Sequence, residues 1–381
     1  MEIISNVNVV QKDKIFNSDV FIKEGKIHNI KPHKKRDGNK IIDGKDYYLM
    51  PGMIDIHLHG SYNYDFTIDP YNSIETVSKG LVKEGTTSFI ASLTVISHNK
   101  ELNLLKQYSN IDSPKNGAHF LGVHSEGPYL NKKYKALMDE TYLRNPSIKE
   151  LDEMLDVSNN KLKIMTVAPE LEGMDKFIPY AISKGVKIMI GHTSASYEET
   201  KKALDLKATG FTHLYNAMSQ HQHREPGVVT CALSEKNKFS ELIVDGFHVH
   251  PAVVKATYNC LSADNIILIT DASLTKGMPD GDYIFSNLSC RKIGNTVRVI
   301  ETGRIAGSSI TMLDAIKNMK KYCNCSLNKL AIMSSTNPAK LLEIDDNKGS
   351  IEIGKDADLI LVDKDLNLIK TFVLGKEVYS I

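Results

Sequence analysis

Residues 53–60 read Met53-Ile54-Asp55-Ile56-His57-Leu58-His59-Gly60, a short apolar run that closes on two histidines and a glycine. A strand points successive side chains to opposite faces, so His57 and His59 share one side. A parallel strand buried on both faces is expected to be apolar throughout, and polar side chains at its carboxyl end need a reason. Two imidazoles on one face can bind a cation together. A hydrogen-bonded polar pair at a strand end accounts for an isolated His-x-His equally well.

Seven further runs of the same kind follow, at 87–93, 118–124, 162–167, 186–190, 210–214, 242–244 and 266–270. Amphipathic stretches such as 73–84, 147–155 and 197–206 fill the intervals, which is the rhythm of βα units and a parallel sheet. Eight runs are what a closed (β/α)8 barrel needs, and the active site of that fold lies at the carboxyl ends of its strands. The expected fold class is therefore α/β, a TIM-like barrel over residues 51–344. Both termini differ in texture: β-rich runs at 3–10, 20–23, 26–30 and 41–44 are matched by others at 349–353, 358–363 and 369–379. They suggest a small discontinuous β-sandwich domain built from 1–50 and 345–381. After the eighth run come a hairpin-like insertion at 283–305 and helical segments at 311–319 and 337–342, with no repeat beyond the βα unit.

The totals agree with this layout and exclude several roles. A chain of 381 residues accommodates a barrel of about 250 with an appendage. Lys plus Arg (47) nearly balance Asp plus Glu (46), scattered along the chain, so no broad field attracts polyanions or anionic lipid. Neither a nucleic-acid nor a membrane partner is expected. The one basic run, Lys31-Pro32-His33-Lys34-Lys35-Arg36 beside Asp37-Gly38-Asn39, reads as a solvated turn. Five cysteines, with Cys323-Asn324-Cys325 lacking a second pair, read as reduced thiols of a cytoplasmic protein. The first residues carry no basic region ahead of an apolar core, and no apolar run approaches the roughly 18 residues of a membrane span, so neither export nor an anchor is expected.

Other runs close as the first does. The third ends in His124-Ser125-Glu126-Gly127-Pro128, where Glu126 is either simply exposed at the turn or a ligand able to bridge two cations. The fifth ends in Gly191-His192, the sixth in Thr212-His213, and the eighth in Asp271-Ala272-Ser273. A lone Asp there would cap the next helix, and a lone histidine would be structural. Taken together, residues from separate strands converge on the barrel axis. Opposite a cation that lowers the pKa of water toward about 7, Asp271 can serve as a base.

With these segments in view, the sequence resembles the amidohydrolase superfamily and, within it, the N-acetylglucosamine-6-phosphate deacetylases. The segments that carry the resemblance span nearly the whole chain: 51–60, 124–128, 191–193, His213-Leu-Tyr-Asn-Ala-Met218, Arg224-Glu-Pro-Gly227, Asp245-Gly-Phe-His248, 270–272, 306–312 and 337–339. The resemblance implies a cytoplasmic deacetylase that hydrolyses N-acetylglucosamine 6-phosphate to glucosamine 6-phosphate and acetate, with one or two divalent cations per subunit, zinc or iron foremost. It assigns the principal metal to Glu126, His192 and His213, and a second to His57 and His59 with Glu126 bridging. Asp271 becomes the general base, then the acid toward the leaving amine. Substrate contacts fall on Asn216, Ala217, Arg224, His248, Ile305, Ala306 and Gly307, and on Leu137 and Met138. A homodimer is implied, with Arg224 reaching across to the neighbouring subunit.

In one place the sequence departs from the family pattern, which has Gly-x-His a little after the Glu-Gly-Pro turn where this chain has Ala136-Leu137-Met138. A thioether offers the sugar no useful hydrogen bond, which leaves N-acetylgalactosamine 6-phosphate or another N-acyl amino-sugar phosphate as alternative substrates. Cyclic amide hydrolysis with a carbamylated lysine bridging two metals is disfavoured, because Glu126 stands where that lysine would. A barrel retained only as an inactive scaffold is disfavoured by the complete ligand set.

Overall fold

The computed structural model describes residues 1–35 and 41–381. Eight parallel strands lie side by side in chain order: β1 (Met53–Leu58), β2 (Thr86–Leu93), β3 (His119–Glu126), β4 (Leu162–Val167), β5 (Lys187–Ile190), β6 (Gly210–Phe211), β7 (Phe239–Ile243) and β8 (Ile266–Ile269). Every residue of β1, β2 and β8 is buried, as strands covered on both faces require. Between β8 and β1 the ring closes only at the carboxyl end: the backbone N–H of Asp271 donates to His57 O at 2.8 Å, and that of His59 to Ala272 O at 2.8 Å. This seam puts the ends of the first and last strands in direct contact.

Helices follow most strands and take their apolar faces from the expected stretches. The one expected at 73–84 is Pro70–Leu81 with a 3-10 turn at Val82–Glu84; proline at its first position and the Asp69 side chain start it. The stretch at 311–319 runs on as Met312–Cys323 behind a capping box of Thr311 and Asp314. Among the described residues no helix is long and apolar enough to cross a membrane.

The termini share one eight-stranded sheet. Tyr48–Pro51 lies between Leu359–Val362 and Glu2–Val10, with the C-terminal strands on one side of it and the N-terminal strands on the other. Ile4, Val9, Ile27, Leu49, Leu359 and Phe372 form its core. The strand expected at 349–353 is absent: Ile351 alone dips into that core while Ile353 is 62% exposed, so the apolar alternation there does not mark a pleat. In the basic run, Lys31 ends a strand and residues 31–35 are exposed; Arg36 and the adjoining Asp37-Gly38-Asn39 lie outside the described residues.

The insertion after β8 is larger than a hairpin. Gly281–Phe285, Leu288–Ile293, Thr296–Val299 and Ile305–Ser308 form a four-stranded antiparallel sheet around Phe285, Cys290, Val297 and Ala306. Leu137 packs against this cluster, so the sheet and the segment after β3 meet over the barrel. Barrel-strand boundaries that differ from expectation by two residues or more are the end of β3, which extends to Glu126, the end of β6, which stops at Phe211, and the start of β7 at Phe239.

Candidate metal centre and substrate cavity

Side chains from five strand ends meet at one point. Glu126 Oε1 lies 3.0 Å from His192 Nε2 and 3.0 Å from His213 Nε2, and those two nitrogens are 3.1 Å apart. On its other side Glu126 Oε2 lies 3.2 Å from His59 Nε2, while His57 Nε2 is 3.5 Å from Oε1. Asp271 Oδ1 completes the ring at 3.4 Å from His59 Nε2 and 3.7 Å from His57 Nε2. The atoms fall into two donor groups, Glu126–His192–His213 and His57–His59–Asp271, each within 4.8 Å.

Backbone conformation helps to aim them. His192, His213 and Asp271 have φ of 49°, 29° and 47°, on the positive side that non-glycine residues adopt uncommonly. All three lie just beyond a strand end, where the reversal turns the side chain off the strand's alternation and toward the axis. Gly127, with φ of 109°, serves the Glu126 turn differently: a β-carbon there would meet Val95 Cγ2 at 2.6 Å.

The far nitrogens of three rings are anchored, His59 Nδ1 on Ser92 O at 3.2 Å, His192 Nδ1 on Tyr134 O at 2.8 Å, and His57 Nδ1 on Glu241 Oε2 at 3.0 Å. A ring nitrogen that donates to an oxygen leaves its other nitrogen as a lone pair, which here faces the centre. His57 Nε2 has no hydrogen-bond partner among the described residues. Neutral imidazoles and carboxylates, aimed inward with lone pairs 3–4 Å apart and buried, suit one or two divalent cations of the zinc, iron, manganese or cobalt kind.

Charge is strongly coupled here. Burial pushes Glu126 up, but His192, His57 and two hydrogen bonds hold it well below the usual carboxylate range. Burial likewise opposes ionisation of Asp271, and His59 and His57 overcome it, bringing its pKa to about 2. In the protein alone, burial works against protonation of His57, while Glu241 and Glu126 lift its pKa to about 9.

Above the centre opens a cavity of about 230 Å³. Of the substrate contacts expected from sequence, Leu137, Met138, Asn216, Ala217, His248, Ile305 and Gly307 line it. Ala306 is fully buried behind the lining, and Arg224 is exposed and does not reach the cavity within its own chain. His248 Nδ1 pairs with Asp245 Oδ2 at 2.6 Å; burial opposes its protonation, and this bond with the Asp245 charge raises its pKa. Met138 is 9% exposed and packs with Val95, Leu130 and Leu143.

Residues 48–378 match the Amidohydrolase family. The chain belongs to that family. This amidohydrolase is 36% identical over 382 residues to the N-acetylglucosamine-6-phosphate deacetylase of Lysinibacillus sphaericus, covering 98% of this chain and 97% of that one. It is 33% identical over 333 residues to the N-acetylgalactosamine-6-phosphate deacetylase of Escherichia coli O157:H7, covering 86% and 87%. The crystal structure of N-acetylglucosamine-6-phosphate deacetylase from Thermotoga maritima superposes with a TM-score of 0.89 at 31% identity over all of both chains.

Sequence reasoning missed several neighbours of the site. Thr94, Ala136, Phe285 and Ser286 also line the cavity; the last two arrive on the inserted sheet, and no local signal announces where that sheet docks. Asp55 and Glu241 had a signal, a carboxylate inside a mostly apolar strand. Asp55 Oδ2 accepts from Thr270 Oγ1 at 2.6 Å, one residue before Asp271, and burial raises its pKa to about 6 against the Lys276 charge. Lys276 is fully buried and donates to Glu84 Oε2 at 2.9 Å, and Tyr62 OH donates to Glu84 Oε1 at 2.6 Å. With Tyr62 N–H on Lys276 O at 2.7 Å, this pair ties the loop after β8 to the loop after β1.

Proposed function

We propose that this amidohydrolase hydrolyses the acetamide of N-acetylglucosamine 6-phosphate to glucosamine 6-phosphate and acetate. The observation that carries the reading is the convergence of Glu126, His192, His213 and Asp271 at the floor of a cavity that His248 and Asn216 also line. Glu126, His192 and His213 would hold a divalent cation, and His57 and His59 a second one, which when bound would supply the Lewis acidity that lowers the pKa of water and polarises a carbonyl.

The protein's own groups do the rest. Asp271 is ionised and 3.4 Å from His59 Nε2, placed to take a proton from the attacking water as its oxygen bonds to the amide carbon. The same carboxyl then delivers that proton to the amine nitrogen as the C–N bond breaks. His248, paired with Asp245 and hence drawn toward its cationic form, is the cavity's candidate for the sugar phosphate. Among the described residues no lysine or arginine lines the cavity. A phosphate dianion calls for a cationic fork, and the exposed Arg224 of a second subunit in a homodimer would provide it. Residues 51–344 form the catalytic domain in this reading, and the five free thiols suit a cytoplasmic setting.

Met138 at the cavity wall favours a second reading, the galactosamine epimer, on which the Escherichia coli relative is named. Acetate release from the two N-acetylated hexosamine 6-phosphates, paired with elemental analysis, tests both. At least a tenfold higher kcat/KM for the gluco epimer supports the first reading; the reverse ratio transfers the assignment, and no release from either sinks both.

A further inference from the structure

β7 reads Phe239-Ser240-Glu241-Leu242-Ile243, and Glu241 is fully buried in it. A carboxylate in such a place is costly unless it is well paired. Its Oε2 accepts from two donors, the backbone N–H of His213 at 3.1 Å and His57 Nδ1 at 3.0 Å. The first is a main-chain group that fixes the carboxylate; the second is a side chain that the carboxylate in turn fixes. Glu241 thus reaches past β8 to a residue of β1, and the rings of His57 and His213 stand 5.5 Å apart. Its Oε1 has no hydrogen-bond partner among the described residues, so the interactions of the carboxylate are concentrated on these two histidines.

We infer that Glu241 is a positioning residue for the second cation, the one that His57 and His59 would hold beside Asp271. It keeps His57 in the Nδ1–H form and holds the ring so that Nε2 presents its lone pair between Glu126 and Asp271, 3.5 and 3.7 Å away. Outer carboxylates of this kind commonly change metal affinity by about 10- to 100-fold. The larger effect falls on the His57–His59–Asp271 group, where Glu241 holds a ligand ring directly, while the other group is reached through the backbone N–H of His213.

The inference rests on the two-cation reading of the centre, and zinc itself is the probe. Chelator-stripped protein is titrated with zinc chloride against a chromophoric competitor. The parent binds two equivalents; Glu241→Leu weakens one of them about 10- to 100-fold and the other, reached only through the His213 backbone N–H, by clearly less, while Glu241→Gln, which keeps an oxygen acceptor, recovers most of that loss. Two equivalents bound by Glu241→Leu as tightly as by the parent overturn the inference, as does an equal loss of both. A parent that binds no zinc overturns the functional reading instead. Nitrogen-15 histidine NMR of the zinc-loaded parent is independent of whether Glu241→Leu folds. A slowly exchanging Nδ1–H on His57 is expected, and an Nε2–H tautomer there refutes the assignment.

Discussion

Lys276→Met should be among the most damaging substitutions outside the candidate metal centre. The ammonium is fully buried, sits 2.9 Å from Glu84, and is the principal charge opposing the upward shift of Asp55. Methionine fills a similar volume but leaves Glu84, 7% exposed, with the Tyr62 hydroxyl as its one remaining side-chain donor among the described residues. Breaking one side of a buried pair costs about 3–5 kcal/mol. At about 2 °C per kcal/mol for a chain of this length, the melting temperature should fall by roughly 6–10 °C. Glu84→Gln in the same chain removes the stranded charge, so the double variant should regain more than half of the loss. Thermal and urea unfolding of the parent, both single variants and the double variant provide the cycle. A Lys276→Met protein melting within about 2 °C of the parent, or a double variant worse than the sum of the singles, would refute the argument that this pair anchors the loop carrying Asp271.

Three other outcomes follow from the same geometry. Asp271→Asn should lower kcat by about 100- to 10,000-fold while the Glu126–His192–His213 group keeps its metal; unchanged turnover in a metal-replete variant would remove Asp271 from the proton relay. His57 has a folded pKa of about 9 against an ordinary value of 6.5, so its contribution in chelator-stripped protein is complete below pH 6.5 and lost as pH rises through 9. Urea unfolding of stripped protein should show a stability that declines across that window, with His57 alone accounting for roughly 3 kcal/mol and His59, also raised, adding to the fall; a stability that rises there would contradict it. Arg224→Ala should raise KM for the phosphorylated sugar, and mixed dimers of Arg224→Ala with Asp271→Asn should be more active than either parent variant; no gain on mixing would place the arginine's action within its own chain.

Much of the centre was legible because strand geometry is simple. His57 and His59 share a face by the period of two, and the polar ends of β3, β5, β6 and β8 stand out against apolar runs. What sequence left open depends on docking. Phe285 and Ser286 reach the cavity only because four inserted strands pack against Leu137 and Leu274. Arg224 carries a motif but sits on an exposed segment, so the motif alone does not say whose cavity it serves. The failed strand at 349–353 shows the limit of alternation: Ile351 and Ile353 fit the period, yet only the first has a core to enter.

The seam between β8 and β1 has a bearing on rigidity. His57 and His59 belong to one lip of it and Asp271 to the other, with few main-chain bonds joining the two. An ion shared by those three side chains would act as a clasp across the least-stitched join of the cylinder. Loading it would restrain breathing of the first and last strands, coupling the firmness of the scaffold to the readiness of its chemistry.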